Sequence, residues 1–424
     1  ANFAWTLPMV AVCSGLLGAV LPLVAHYGVR PDERAGERLS WLYLANIVGS
    51  TAGSLLTGFV LMQYLSLAEI AALLVDLGAA LALLLALASG VSGTWARVAM
   101  VTALAGFAVL HIATPRAYHL IYEKLLYKHE WKAGQQFAET VENRSGVINV
   151  AKNGMVYGSG MYDGVYNVDL NDDRNLTIRA YMLAGLRPGY PDVLMVGMAS
   201  ASWLQIVASN PKVERITVIE INPGYTELAA KRPQVASVLR NPKVTLVYDD
   251  GRRWLKAHPE RRFDLVVQNT TWHWRGFSSN LLSGDYHELV KAHLKPGGID
   301  LFNATSSPHV FKTACTHFRH GRRIINFFLG SDAPLHLDKG VWRQALLDYR
   351  IDGKPLFNLD DPKQARRLDE VLRMADDFDR DTPGGMCETC ASLVRGAGDI
   401  PLVTDDNMVI EWQRKWSAMP VAGD

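Results

Sequence analysis

Apolar residues dominate the chain almost without interruption from Ala4 to Ala113, then give way to short β-branched runs separated by charged and turn-forming segments. The first stretch divides into four segments, Trp5 to Val29, Leu39 to Met62, Leu67 to Ser89 and Trp95 to Ala113. Each is near the roughly 20 residues that an α-helix needs to cross a bilayer core. Trp5, Trp41 and Trp95 stand at segment starts and Tyr27 and Tyr64 near segment ends, where amphipathic rings favour the headgroup level. A cleaved signal peptide accounts for one such segment, not four. The pattern predicts an α-helical transmembrane bundle over 1–114, with the chain beginning at Ala1 as a processed or trimmed product. Gly49, Ser50, Gly53, Ser54 and Gly58 in the second segment have the small-xxx-small spacing that lets helix backbones approach closely. That helix is expected at the bundle centre.

After Pro115 the period changes. An amphipathic connector helix is expected over Tyr118 to Lys132. Phe137 to Glu142, Gly146 to Lys152 and Met155 to Tyr157 then alternate as strands, and Asn153-Gly154 is a hairpin signal because both positions tolerate positive φ. This connector and small β-unit occupy 115–170. Four further runs follow: Asp192 to Gly197, Ile216 to Glu220, Val244 to Gly251 and Phe263 to Asn269. Each ends in small or polar residues, as buried parallel strands do where they deliver side chains to the carboxyl edge of a sheet. A helix near Asp285 to His293, a turn at 295–298, a strand to Asn303 and a late strand near Ile324 to Leu329 complete an α/β domain over 171–350. A C-terminal helical tail, 351–424, includes a helix from Asp360 to Asp379 with Leu368, Val371, Leu372 and Ala375 on one face.

Composition hides this division. The net charge of +1 and mean hydropathy of +0.04 are averages of an apolar part and a charged part. The charge rule for orientation is balanced: Arg30, Arg34, Arg38 and Arg97 fall on one face, and Arg116, Lys124, Lys128 and Lys132 on the other. Asp76 lies inside the third apolar segment, where a carboxylate is costly unless paired, protonated or facing a wet cavity. Asn46, His26 and His111 are its candidate partners.

The sheet edge carries the candidate chemistry. Glu220, ending the second strand, can accept hydrogen bonds from both hydroxyls of a ribose, and Asp250 after the third can accept one from an adenine amino group. The first loop lacks Gly-x-Gly-x-x-Gly, which argues against a dinucleotide oxidoreductase.

With Val-Gly at 196–197, Val-Ile-Glu-Ile-Asn at 218–222, Asp-Asp-Gly-Arg at 249–252 and Phe-Asp-Leu-Val-Val at 263–267, the chain resembles the spermidine synthase (polyamine aminopropyltransferase) family, in the branch with an N-terminal membrane domain. The glycine-rich stretch from Tyr43 to Val60 and the tail Pro401 to Asn407 are similar too. The resemblance implies a class I methyltransferase-like, Rossmann-like sheet preceded by the small β-unit. It implies binding of S-adenosylmethionine or its decarboxylated form, with Gly197 opening the loop, Glu220 on the ribose, and Asp250 and Gly251 in the adenine motif. It also implies aminopropyl transfer to an amine.

Three departures stand against activity. The loop Gly197-Met198-Ala199-Ser200-Ala201-Ser202 is bulkier than the family's and has no carboxylate. The acid after the fourth strand is replaced by Asn269, an amide that cannot take a proton usefully. Tyr157 replaces the family's Gln, while Asp163 and Tyr166 keep an acidic-x-x-Tyr pattern. The stretch Thr271 to Gly276 is aromatic and basic, and within it His273 is a candidate general base and Arg275 a candidate anion ligand. The candidate catalytic set is Asn269, His273, Asp163 and Tyr166. The other readings of the stretch and the domain are a lid packed through its aromatic faces, a catalytically inactive membrane scaffold, and a methyltransferase working by proximity.

Four cysteines include Cys387-x-x-Cys390 and Cys315 near His317 and His320. A structural zinc site, a disulfide or redox pair, and free thiols all fit this spacing. The expected setting is a multi-pass bacterial inner-membrane protein. Its soluble domain is expected in the cytoplasm, where its co-substrate is made. Its expected partners are lipid, a small acceptor, and other membrane proteins or further copies of itself, with no nucleic acid.

Overall fold

The computed structural model describes residues 3–88, 93–187, 189–269 and 272–411, in two compact units, 1–118 and 119–424.

The first unit contains helices Phe3–Gly28, Ala35–Leu56, Leu67–Ala88 and Thr94–Tyr118. The second runs on through a π-helical turn, Thr57–Leu61, to Tyr64. Four helical stretches of 22, 30, 22 and 25 residues, with mean hydropathy of 2.2, 1.5, 2.6 and 1.8, are long and apolar enough to cross a membrane. The last two pack together along their length. Gly78 leaves room there for the ring of Phe107, and His111 Nδ1 lies 2.8 Å from Asp76 Oδ1. Asp76 thus has one of the partners the sequence offered it. The glycine-rich second helix is not at a centre: nothing lies within 4 Å of where Cβ atoms would stand on Gly49, Gly53 or Gly58. Small residues permit close approach, but they do not supply a partner.

The second unit opens with a short helix, Ile121–Tyr127. Left-handed backbone at Leu120 and Lys128 cuts it shorter than its apolar period implies. Four antiparallel strands follow in sequential order, β1 (Phe137–Asn143), β2 (Gly146–Ala151), β3 (Met155–Gly158) and β4 (Met161–Val165). The turn between β2 and β3 is the expected Asn153-Gly154, with Gly154 at φ +84°.

The main sheet is built from β5 (Tyr190–Val196), β6 (Val213–Glu220), β7 (Val244–Tyr248), β8 (Phe263–Gln268), β9 (Leu294–Asn303), β10 (His320–Ile324) and β11 (Phe327–Ser331). Beyond a two-residue hairpin of β12 (Arg350–Ile351) and β13 (Lys354–Pro355), β14 (Cys387–Thr389) returns to the sheet edge. The order is β14-β10-β11-β9-β8-β5-β6-β7. Strands β5 to β9 are parallel, and β11 runs antiparallel to β9. This is the class I methyltransferase sheet, led by a small antiparallel sheet. The single late strand expected near 324–329 is instead a hairpin turning at Ile325, where φ is +60°. A β-branched residue in that conformation carries no turn signal in the sequence.

Helices cover both faces. One apolar cluster joins β5 and β6 to helices Ile178–Leu186, Ser202–Ser209, Lys339–Asp348 and Pro362–Phe378, and the last of these buries Leu368, Val371, Leu372 and Ala375 as its period implies. A second, on the other face, packs Trp254, Leu255, Tyr286 and Val290 against Leu194, Val196 and Val266. Strand order reverses between β5 and β8, so the crevice at their carboxyl ends is where an open α/β sheet offers a ligand site.

Candidate functional site

Gly197 follows β5 directly, with φ +82°, and its N–H donates to the Ile219 carbonyl at 2.9 Å. A Cβ on Gly197 would stand 3.4 Å from the Asn269 carbonyl oxygen, so the ends of β5 and β8 approach each other closely at this loop. Ala199 and Ala201 in the same loop have φ of +47° and +58°. The backbone keeps a conformation suited to glycine while carrying alanines, at a cost of roughly 1–2 kcal/mol each. The Ser202 hydroxyl donates to Val165 O at 2.7 Å and accepts from Asn167 N at 3.1 Å, fixing the loop to the end of β4.

Glu220 ends β6 and is 3% exposed. Its two oxygens accept from the backbone N–H groups of Met198, at 2.7 Å, and Asn222, at 2.8 Å. Burial pushes its pKa up to about 7, against those two hydrogen bonds. Each carboxylate oxygen has a second lone pair, so the loop does not exhaust its accepting capacity. Asp250 follows β7 and caps helix Gly251–Ala257 through Arg253 N at 2.7 Å. Gly251 lets that helix reach the end of β5, since a Cβ would come within 2.5 Å of Val196 Cγ1.

Across the crevice, Asp163 on β4 accepts a hydrogen bond from the Tyr225 hydroxyl. Burial raises its pKa to about 6, while Tyr225, Arg275 and the Gly158 N–H favour the carboxylate. The Asp163 carboxylate disfavours ionisation of Glu220, and both disfavour ionisation of the Tyr225 hydroxyl. Tyr166 is turned elsewhere: its ring lies 5.3 Å from the Arg232 guanidinium, and burial raises its hydroxyl to about 12.

The segment after β8 folds over this side. Thr270 and Thr271 lie outside the described residues. Trp272 Nε1 donates to the Tyr162 carbonyl of β4 at 3.0 Å, and its ring centroid is 4.7 Å from that of Trp274. Glu411 accepts from Phe277 N at 2.9 Å and from Ser279 N at 3.1 Å, holding the far end. His273 is engaged with the Thr305 hydroxyl through Nδ1, and burial lowers its pKa to about 4. A neutral, weakly basic imidazole is a poor proton acceptor at neutral pH. The structure thus gathers Gly197, Asn269, Glu220 and Asp163 about one crevice, with Asp250 and Gly251 at its β7 end. The sequence reading missed Tyr225 and Gly158. A Cβ on Gly158 would stand 2.0 Å from Asp163 Oδ2 and 2.2 Å from Tyr225 Oη, so a side chain there would displace the carboxylate or the phenol.

The cysteines do not form a metal site. Cys390 is disulfide-bonded to Cys315, and Cys387 is a free, buried thiol. Among the described residues no group of three or more His, Cys, Asp or Glu side chains is placed to hold a metal. The zinc expectation is therefore withdrawn, and the C-x-x-C spacing does not mark the pair that bonds.

Sheet order and the small leading sheet define a domain with the class I methyltransferase fold. Residues 181–320 match the family model described as the spermine/spermidine synthase domain. It is similar to the polyamine aminopropyltransferase of Mycobacterium tuberculosis, at 28% identity over 337 residues, covering 72% of this chain and 59% of the relative. It is also similar to the spermidine synthase of Dictyostelium discoideum, at 33% identity over 113 residues, covering 26% of this chain and 39% of that one. The chain thus spans less than two thirds of the length of each of these relatives. Among solved structures, spermidine synthase from Thermotoga maritima superposes with a TM-score of 0.40 at 14% identity, covering 57% of this chain and 84% of that one.

Proposed function

We propose that this protein is a membrane-anchored aminopropyltransferase-like enzyme that binds decarboxylated S-adenosylmethionine, or a close sulfonium nucleoside, in the crevice between β5 and β8. The observation that carries the reading is Glu220 at the end of β6, buried with its two oxygens on the N–H groups of Met198 and Asn222 and with lone pairs to spare. Glu220 would take the ribose hydroxyls on its remaining lone pairs, and Asp250 the adenine amino group.

In the transfer, the lone pair of an acceptor amine attacks the aminopropyl carbon bound to sulfur. The C–S bond breaks, its electrons pass to sulfur, and methylthioadenosine leaves as a neutral thioether. The new ammonium loses one proton. Asn269 cannot take it, and His273 is too weakly basic, whereas Asp163, with a pKa of about 6, is matched to that task near neutral pH. Asp163 thus replaces the missing acid from the opposite wall of the crevice. The four apolar helices support the anchoring, because their exposed surfaces in the first unit are apolar over lengths that match a bilayer.

Calorimetry on the detergent-solubilised full chain tests the reading. Decarboxylated S-adenosylmethionine and methylthioadenosine are expected to bind, and Glu220→Ala to weaken both. Absence of binding by either nucleoside would leave the domain as a scaffold that keeps the fold alone.

A further inference from the structure

The disulfide and the arginines of the membrane unit bear on a question the crevice leaves open, namely the compartment in which the folded unit works. Cys315 lies in helix Pro308–His317 and Cys390 opens helix Cys390–Ala397. Their bond, with a Cα–Cα separation of 5.4 Å, joins positions 75 residues apart. Both sulfurs sit against the apolar cluster that includes Phe302, Phe311 and Phe328, away from the crevice residues. The third cysteine of this unit, Cys387, is buried in β14, and burial lifts its thiol to about 11. It is a poor thiolate for exchange with the neighbouring bond. The Cys315–Cys390 bond is therefore a structural cross-link between two helices and not half of a redox-cycling pair.

We infer that the 119–424 unit lies on the oxidising, non-cytoplasmic side of the membrane that the four helices cross. Structural disulfides persist in such compartments and are rare where thiols are kept reduced. Forming this one removes two electrons and two protons from the thiols of Cys315 and Cys390. They pass to a disulfide-donating oxidant of that compartment, which leaves as a dithiol.

The arginines agree. An even number of spans returns the chain to its starting side, so the link at 65–66 and the folded unit share one face, and the link at 29–34 and the first turn of helix Thr94–Tyr118 share the other. That other face carries Arg30 and Arg34 in the link, with Arg38 and Arg97 in the first turns of their helices. The 65–66 link, Leu65-Ser66, carries no basic residue. Arg116, Lys124, Lys128 and Lys132 balance the count on the domain side, but they lead into a large folded unit, and long domains translocate largely regardless of charge. Lys124 is already part of that fold: its Nζ donates to His119 O at 3.2 Å and lies 5.7 Å from the Trp131 ring. The short links therefore place the arginine-bearing face in the cytoplasm, and the disulfide breaks the tie in the same direction. This replaces the cytoplasmic placement expected from where the co-substrate is made. Turnover on the outer side requires that both donor and amine reach it.

The inference rests on the four helices being spans and is independent of what the crevice binds. Impermeant-maleimide labelling in spheroplasts tests it, using the full chain with Cys13→Ser and Cys387→Ser and one reporter at a time. Asp352→Cys places a thiol at the exposed β12–β13 turn, and Glu33→Cys places one in the arginine-bearing link. Asp352→Cys is expected to label in intact spheroplasts and Glu33→Cys only after lysis. In acid-trapped cells, Cys315 and Cys390 are expected to resist alkylation until a reductant is added. The reverse labelling, labelling of neither or of both before lysis, or free Cys315 and Cys390 thiols in trapped cells would each overturn the assignment. Carbonate-washed membranes show separately whether the spans themselves have failed.

Discussion

The Tyr225 hydroxyl donates to the Asp163 carboxylate across the wall of the crevice, and Gly158 is the residue that lets the two meet. This pair links the small β-unit to the first turn after Glu220. It also supplies a carboxylate to a site whose expected acid is an asparagine.

Gly158→Ala should break that contact. Its Cβ would overlap Asp163 Oδ2 at 2.0 Å, so the strand or the carboxylate must move, at a cost of about 1–3 kcal/mol. Thermal unfolding of the second unit should shift down. Tyr225→Phe, which removes only the hydroxyl, should cost less, about 1 kcal/mol. Equal stability of Gly158→Ala and the parent would show that the wall is looser than the structure describes.

Asp300 gives a pH prediction with a definite sign. It is fully buried in β9 with one oxygen on Gln268 Nε2 at 2.9 Å and the other without a partner, and burial raises its pKa to about 7. A carboxyl whose folded pKa is raised binds its proton more tightly in the fold than when unfolded. Its stability contribution is present below about pH 4 and is lost as pH rises through 7. Asp300→Asn keeps an acceptor for Gln268 and cannot ionise. At pH 8 the variant should be more stable than the parent by about 1–3 kcal/mol, and near pH 4 the difference should vanish. Denaturant titrations at the two pH values decide it.

Much of this fold is legible in the chain. Short β-branched runs ending in Gly197, Glu220, Asp250 and Asn269 announce a parallel sheet and its ligand edge, because buried strands and polar strand ends leave a strong local pattern. The hairpin at Asn153-Gly154 and the buried face of helix Pro362–Phe378 are equally local. What the sequence hides is non-local or conformational. Ala199 and Ala201 read as helix formers, and only the fold holds them left-handed. Cys390 sits beside Cys387 in sequence but pairs with Cys315 from another helix. His273 reads as a poised base until burial against Thr305 removes its basicity.

The disulfide should contribute measurably to stability. Closing a loop of 75 residues restricts the unfolded chain by about 4 kcal/mol in the chain-entropy model. Cys315→Ser and Cys390→Ser should each lower the denaturation midpoint, and the double variant should be no worse than either. Cys387→Ser, which breaks no covalent bond, should cost far less.

Asp76→Asn should preserve the helical first unit. The amide keeps a donor and an acceptor within reach of His111, 2.8 Å away in the parent, and interhelical hydrogen bonds in bilayers average about 0.6 kcal/mol. Asp76→Leu, which offers neither, should loosen the pairing of helices Leu67–Ala88 and Thr94–Tyr118. Cysteine cross-linking between those helices reads the difference. A variant Asp76→Asn that inserts normally but loses a membrane-coupled activity would make the pair a working element.

The central claim is that Asp163 supplies the base for transfer from a sulfonium nucleoside bound at the β5–β8 crevice. Release of methylthioadenosine from decarboxylated S-adenosylmethionine in the presence of an amine acceptor tests it most directly, with the purified full chain and Asp163→Asn compared across pH 5 to 8. The account predicts turnover by the parent that rises with pH through about 6, and a loss of roughly 10²-fold or more in Asp163→Asn with nucleoside binding retained. No release by the parent, or release unchanged in Asp163→Asn, would contradict it.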